Sequence, residues 1–184
     1  MRIGIFGGTF DPVHHGHIHA ISYALEEGNL DLVLVMVAGD PYHKEVSNVS
    51  AQQRLDWVRR ACNEYFPESE CVVVDDREIK RAGATYTVDT LRELNTEFPD
   101  DSLVLIVGED IPDQMSSWKE PEEIKTLAEI FVVPRTIFPT SSTEIRELVA
   151  GKNPITGLLP AVIEAEIVEK SLYNGEEYTD NLSS

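Results

Sequence analysis

Along the chain, short and nearly unbroken apolar runs alternate with longer stretches in which apolar positions return every three or four residues. The runs are Ile-Gly-Ile-Phe at 3–6, Leu-Val-Leu-Val-Met-Val at 32–37, Val-Val-Val at 72–74, Leu-Val-Leu-Ile-Val at 103–107 and Ile-Phe-Val-Val at 130–133. Continuous apolar sequence suits a strand covered on both faces by helices, so each run predicts a buried strand of a parallel sheet. The order strand, loop, helix, strand recurs. With right-handed crossovers it predicts an α/β fold, a doubly wound, mostly parallel sheet with a helical C-terminal part.

Polar punctuation marks the helices. His17 to Glu27 reads as a helix closed by Gly28 at C′, and Ser50-Ala-Gln-Gln53 as a capping box opening a helix through Cys62. Thr87 to Glu97 stops before Pro99, and Pro121 takes a first-turn position with Glu122 and Glu123 at the positive end of the helix dipole. Ser141-Ser-Thr-Glu144 is a second capping box, for a helix ending near Gly151, and Pro160 to Tyr173 reads as the last helix.

The chain has 184 residues, which predicts a single domain, residues 1–184, with 137–175 as its helical C-terminal part and 176–184 as a flexible tail. Asp and Glu number 33 against 15 Lys and Arg, a formal net charge of −18. Such acidity disfavours a nucleic-acid or anionic-membrane partner, because both are polyanions, and any anionic ligand must be held locally. Much of it falls on helix faces and the tail, where it keeps the protein soluble. Cys62 and Cys71 lack the spacing of a redox or zinc pair and read as small buried residues without a disulfide. No signal-peptide pattern opens the chain, and its longest apolar run, LDLVLVMVAG, is too short to span a bilayer; a cytoplasmic protein is expected.

The densest chemistry follows the first strand, in GIFGGTFDPVHHGHIHA at 4–20. Gly7 and Gly8 carry no Cβ to block close approach, Thr9 and Phe10 offer amides, and the next helix adds the positive end of its dipole. Together these form a phosphate cradle, although the spacing matches neither the dinucleotide nor the P-loop glycine motif. His14 and His17 bracket Gly16 and present two imidazoles from the first helical turn. A zinc site is the competing account. It lacks nearby Cys and a closed tetrahedral ligand set. His15 and His19 fall on the solvent or packing side, and Lys44 and Arg54 carry the composition of surface charges set beside loops that follow strands.

GGTFDPVHHGH at 7–17 resembles the GTFDP-x-H-x-GH signature of the nucleotidyltransferase superfamily, whose members share a Rossmann-like sheet. Within it, the chain is similar over residues 3–172 to the bacterial nicotinate-nucleotide adenylyltransferases, which join ATP and nicotinic acid mononucleotide to give nicotinic acid adenine dinucleotide and pyrophosphate. AGDPYHK at 38–44 resembles that family's Pro-Pro-His-Lys loop, and ATYTVDTL at 84–91 its Tyr-Thr-x-Asp-Thr-Leu segment. VGEDIPDQMSSWKEPEEI at 107–124 resembles its Gly-Ala-Asp and Trp region, and TSSTEIREL at 140–148 its Ser-Ser-Thr-x-Ile-Arg motif.

The resemblance implies that Gly7, Gly8, Thr9, Phe10, His17, Gly108, Asp110, Ser141, Ser142, Thr143 and Arg146 bind ATP. It implies that Thr9, Lys44, Thr87, Trp118 and Lys119 bind the mononucleotide, Trp118 stacking on the pyridine ring while the amides of Thr87 and Lys119 hold its carboxylate. His14, His17, Lys44 and Arg146 take the catalytic roles, and Mg²⁺ arrives with ATP rather than on a protein metal site. A homo-oligomer is among the expectations. The sequence departs from the pattern at Glu109, at Asp40-Pro-Tyr and in PRTIFPTSST, which is shorter than the family's usual segment and lacks its extra strand, bearing on the adenine-side role of Arg135. A phosphopantetheine adenylyltransferase, a non-catalytic nucleotide-binding module and a metal-binding protein are the other readings. Because the attacking group is a phosphate oxygen, already ionised at neutral pH, the expected catalysis is alignment and charge stabilisation without a general base.

Overall fold

A computed structural model describes residues 1–39, 49–81, 83–137 and 139–174, with the side chain of Ile137 left aside. Lys44, the rest of the 40–48 segment and the tail from 175 lie outside the described residues.

The five apolar runs form five parallel strands, β1 (Arg2–Gly8), β2 (Leu32–Val37), β3 (Val72–Asp75), β4 (Ser102–Gly108) and β5 (Glu129–Val133), in the order β3-β2-β1-β4-β5. Their side chains divide by parity. Phe6, Val33, Val35, Val37, Val104 and Ile106 join one core; Ile3, Ile5, Leu34, Met36, Leu103, Leu105 and Val107 join the other. That division explains why the runs carry no polar alternation: both faces are covered.

Helices α1 (His15–Glu27) and α2 (Ala51–Tyr65) contribute Ile21, Ala24, Leu55 and Trp57 to the first core, and α4 (Thr87–Glu97) and α6 (Pro121–Leu127) contribute Leu91, Leu94 and Ile124 to the second. The short α3 (Arg77–Lys80) and α5 (Ile111–Gln114) lie between them in sequence. The chain therefore winds from β1 outward to β3 with helices on one face, returns to β4, and winds outward to β5 with helices on the other. The two directions part between β1 and β4. Helices α7 (Ser142–Ala150) and α8 (Ala161–Glu169) add Ile145, Ile163 and Ile167 to the first core, so the C-terminal part shares a core with the sheet.

Several helix ends differ from the sequence expectation. Gly28 is the cap itself in right-handed conformation, and Asn29 takes the left-handed C′ position at φ 47°. A Cβ on Gly28 would stand 2.5 Å from the Ala24 carbonyl oxygen, so glycine is needed there for space. The last helix ends at Glu169 instead of Tyr173: Ser171 adopts φ 53°, its amide bonds to Val168 O, and the Leu172 amide reaches back to Ile167 O. Those paired bonds are a Schellman closure. Both cysteines are free, but only Cys62 is buried, its thiol pushed up to about 12 by desolvation; Cys71, expected inside, precedes β3 and is exposed.

Glu166 on α8 locks that helix to α2. Its carboxylate accepts from Arg60 Nη1 at 2.6 Å, Trp57 Nε1 at 3.1 Å, Gln53 Nε2 at 2.9 Å and Lys170 Nζ at 2.5 Å. The Lys170 hydrogen bond first, then those from Arg60 and Trp57, hold its pKa at about 2 against an opposing desolvation. A carboxylate depressed in the folded state stabilises above the unfolded value of about 4.3, and that stability is lost as pH falls through the folded value. Urea midpoints of Glu166→Gln should accordingly lie below those of the native protein at neutral pH, with the gap closing as pH is lowered from about 4.3. A gap of constant size across that range would show that the ionised carboxylate is not what ties α8 down.

Candidate functional site

The carboxyl ends of β1 and β4 border the point where the winding reverses, the place where open α/β sheets leave a crevice. A cleft of about 310 Å³ opens there, and Gly7, Gly8, Thr9, Thr87, Gly108 and Trp118 all line it. The residues singled out in three separate sequence motifs thus meet in one cavity.

Its floor is the loop leaving β1. The Ala38 amide donates to Gly8 O at 2.9 Å, the Arg54 guanidinium to Thr9 O at 2.6 Å, Arg146 Nη1 to Asp11 O at 2.7 Å, and the Ser142 hydroxyl to Pro12 O at 2.9 Å. Phe10 adopts φ 53°, a left-handed conformation that costs a non-glycine residue roughly 1–2 kcal/mol. In return its ring is buried edge-on to Phe6 and His17, and it lies so near Gly8 that a Cβ there would stand 3.0 Å from it. Gly7 is exposed, and a Cβ on it would meet nothing within 4 Å. The Asp11–Pro12 bond is cis, and the Asp11 carboxylate, 7% exposed, accepts the Tyr173 hydroxyl.

His14 caps α1, and its amide donates to His17 Nδ1 at 3.1 Å. An accepting Nδ1 places the proton of the neutral ring on Nε2, which makes His17 a donor. The two imidazoles sit with centroids 3.7 Å apart and their planes tilted by 33°. Burial, reinforced by the neighbouring His15, brings the His14 pKa down to about 4; burial and His14 hold that of His17 well below its ordinary value. His15 has a structural part, its ring meeting Gly157 O at 3.0 Å and the Tyr65 hydroxyl at 2.8 Å and its amide Leu158 O at 3.0 Å. No group of three or more His, Cys, Asp or Glu among the described residues is placed to hold a metal ion.

Two further helices start at the site. α4 opens at Thr87, and since Asp89 and Thr90 already bond to Tyr86 O, the amides of Thr87 and Val88 are, among the described residues, the unspent donors of its first turn. α7 opens at Ser142; Ser141 Oγ accepts from the Glu144 amide at 3.1 Å, leaving the amides of Ser142 and Thr143 in the corresponding position. Arg146 also reaches Thr143 Oγ1 at 3.2 Å. The cleft and this shelf of Phe10, His14, His17, Ser141, Ser142, Thr143 and Arg146 are joined by the loop leaving β1. Asp110 is exposed two residues beyond Gly108, and the exposed Lys119 side chain bonds to Asp89 at 2.9 Å and covers the Tyr86 ring; neither residue lines the cleft.

Other residues belong here with little or no sequence signal. Arg54, with the composition of a surface charge, is 1% exposed because Thr9, Ala38 and Gly39 carbonyls surround its guanidinium. Glu78 and Thr90 line the cleft opposite Gly8, the Thr90 hydroxyl donating to Glu78 Oε1 at 2.8 Å; burial raises the Glu78 pKa while this bond and Arg81 pull it back. Thr90 could have been found three positions after Thr87 on one helix face. Glu78 sits in a charged run, DREIKR, where nothing marks it. Glu109, the departure beside Asp110, accepts the Arg135 amide at 3.1 Å and so anchors the turn after β5, while the exposed Arg135 itself does not line the cleft.

The depressed imidazoles fix a sign. A His that binds its proton less readily when folded costs stability as pH falls below the unfolded value of about 6.5. NMR titration of ring C–H resonances should show His14 uncharged down to about pH 4 and His17 titrating well below its ordinary value; midpoints for both near 6.5 would contradict the desolvation of the pair.

Residues 5–148 match the family model described as cytidylyltransferase-like. A probable nicotinate-nucleotide adenylyltransferase of Chlorobaculum parvum is 35% identical over 94% of this chain and 99% of its own, and one of a Synechococcus strain 41% identical over 84% and 72%. The nicotinic acid mononucleotide adenylyltransferase of Plasmodium falciparum, solved in complex with NaAD, superposes with a TM-score of 0.77 over 94% of this chain and 97% of that one; at 18% identity it speaks to the fold. With the signature loop, the switch-point cleft and relatives that match nearly end to end, this chain belongs to the nicotinate-nucleotide adenylyltransferases of the cytidylyltransferase-like family.

Proposed function

We propose that the protein transfers the adenylyl group of Mg-ATP to nicotinic acid mononucleotide, releasing pyrophosphate. The observation that carries this reading is one cleft in which the glycine-rich loop after β1 meets Trp118 and the first turn of α4, with the His14–His17 pair adjoining it on the same loop and the start of α1. The loop suits phosphates, and Trp118 with the α4 turn suits a flat ring bearing a carboxylate.

In the reaction, a phosphate oxygen of the mononucleotide forms a bond to the α-phosphorus of ATP as the bond from that phosphorus to the pyrophosphate oxygen breaks. Both substrates are polyanions, so the protein's task is to align them in line and offset their repulsion. Gly7, Gly8, Thr9 and Phe10 would supply close backbone approach, and His14 and His17 neutral donors toward charge developing on the phosphates. Ser141, Ser142, Thr143 and Arg146 would hold the triphosphate at the α7 N-terminus, and Lys44 would add a further cation. Gly108 and Asp110 would meet the ATP ribose. Trp118 would stack on the pyridine, with the amides of Thr87 and Lys119 taking its carboxylate. Mg²⁺ enters as part of the nucleotide substrate.

Pyrophosphate release from Mg-ATP should be measured with nicotinic acid mononucleotide, nicotinamide mononucleotide and phosphopantetheine in parallel. The nicotinic acid compound should win in kcat/KM by about 10- to 100-fold over the amide, the effect of leaving buried donors without an anionic partner. Comparable values for the two, or turnover confined to phosphopantetheine, would refute the assignment. His17→Ala should lower kcat by about 10²- to 10³-fold, as removal of a transition-state donor does elsewhere; a variant at near-native turnover would remove His17 from the mechanism.

A further inference from the structure

Arg54 is held in an unusual setting for a charged side chain. It lies on the buried face of α2, 1% exposed, and its guanidinium fork takes main-chain carbonyls from two different strand ends: Thr9 O at 2.6 Å and Ala38 O at 2.9 Å through Nη1, and Gly39 O at 3.1 Å through Nη2. The parallel ladder between β1 and β2 runs out just before these residues, at Gly8 opposite Val37, and the Ala38 amide to Gly8 O is its last rung. Past that rung the two chains separate, and Arg54 supplies the donors that a further strand residue would have provided. A planar guanidinium presents several fixed N–H groups at once, which an ammonium on a flexible stem does not.

A trans peptide is planar, with its C=O and N–H on opposite edges. Holding Thr9 O against the buried guanidinium therefore turns the Phe10 N–H the other way, and holding Ala38 O does the same for the Gly39 N–H. Thr9 and Ala38 both line the cleft, and the Phe10 and Gly39 amides belong to the peptides that follow them. We propose that Arg54 is a positioning residue for phosphate binding: from beneath the cleft it fixes the peptide planes that present the Phe10 and Gly39 amides to the bound anion, and its buried charge lies behind them. It touches no substrate. It acts through Thr9 and Ala38, and the inference rests on the adenylyl-transfer reading only for its kinetic consequence.

Amide NMR on the native protein, titrated with magnesium tripolyphosphate, tests the proposal without reference to turnover. The Phe10 resonance should move on saturation; a Phe10 amide that ignores the anion overturns the proposal, whether or not the protein makes pyrophosphate. In Arg54→Lys, which keeps the charge but not the fork, the Phe10 response should be reduced. With thermal midpoint held within a few degrees of native, kcat should fall about 10- to 100-fold while KM for both substrates changes by less than about threefold. A folded Arg54→Lys protein with native kcat, or one whose Phe10 amide still responds as the native does, would refute it. Absence of pyrophosphate from the native protein would instead sink the catalytic reading and leave the NMR outcome to decide the role of Arg54, and the native titration decides even if the variant does not accumulate.

Discussion

A peptide group has two hydrogen-bonding edges, and along the loop that leaves β1 the protein occupies one of them almost throughout. The carbonyls of Gly8, Thr9, Asp11 and Pro12 are taken by an amide from the neighbouring strand, a guanidinium from α2, a second guanidinium from α7 and a hydroxyl from the start of α7. An unpaired buried carbonyl would be costly, so four partners from three elements hold the loop in one shape. Of the four peptides, that of Asp11 has no N–H because Pro12 follows it, and Gly8 and Thr9 are the ones that line the crevice between β1 and β4, in a protein of net charge −18 that otherwise repels phosphates. On the proposed function, the site's preference for anions would come from local backbone orientation set against the charge of the whole molecule.

The same economy explains the packing around the loop. Phe10 accepts a left-handed backbone so that its ring can lie beneath Gly8 and beside His17, and that ring helps to bury the imidazole pair and keep it uncharged. A charged pair at 3.7 Å would repel itself. Neutral, His17 can instead offer an N–H donor of known tautomer, because the His14 amide occupies its Nδ1. Packing, protonation and donor geometry are thereby consequences of one another.

The sheet and most helix starts were legible because each depends on local signals: unbroken apolar runs for strands buried on both faces, and Ser50, Pro121 and Ser141 for helix starts. Gly7, Gly8, Thr9, Thr87, Gly108 and Trp118 were legible because their motifs are short and contiguous. Arg54 and Glu78 were not, since their burial depends on partners 12 to 45 positions away and an isolated charge in sequence reads as solvated. Cys71 failed in the opposite sense, as a residue type favoured inside that falls just before the edge strand β3. α1 ends at Glu27 as expected, although Asn29 and not Gly28 takes the left-handed position, and α8 ends early because Ser171 accepts the left-handed conformation usually given to glycine.

The tie between Tyr173 and Asp11 joins residues 162 positions apart, and Leu158 receives the first amide of α1. The partners that complete the loop's surroundings thus lie far downstream of it in the sequence, and the loop reaches its finished shape only after α8 and the residues that follow it have docked on the sheet.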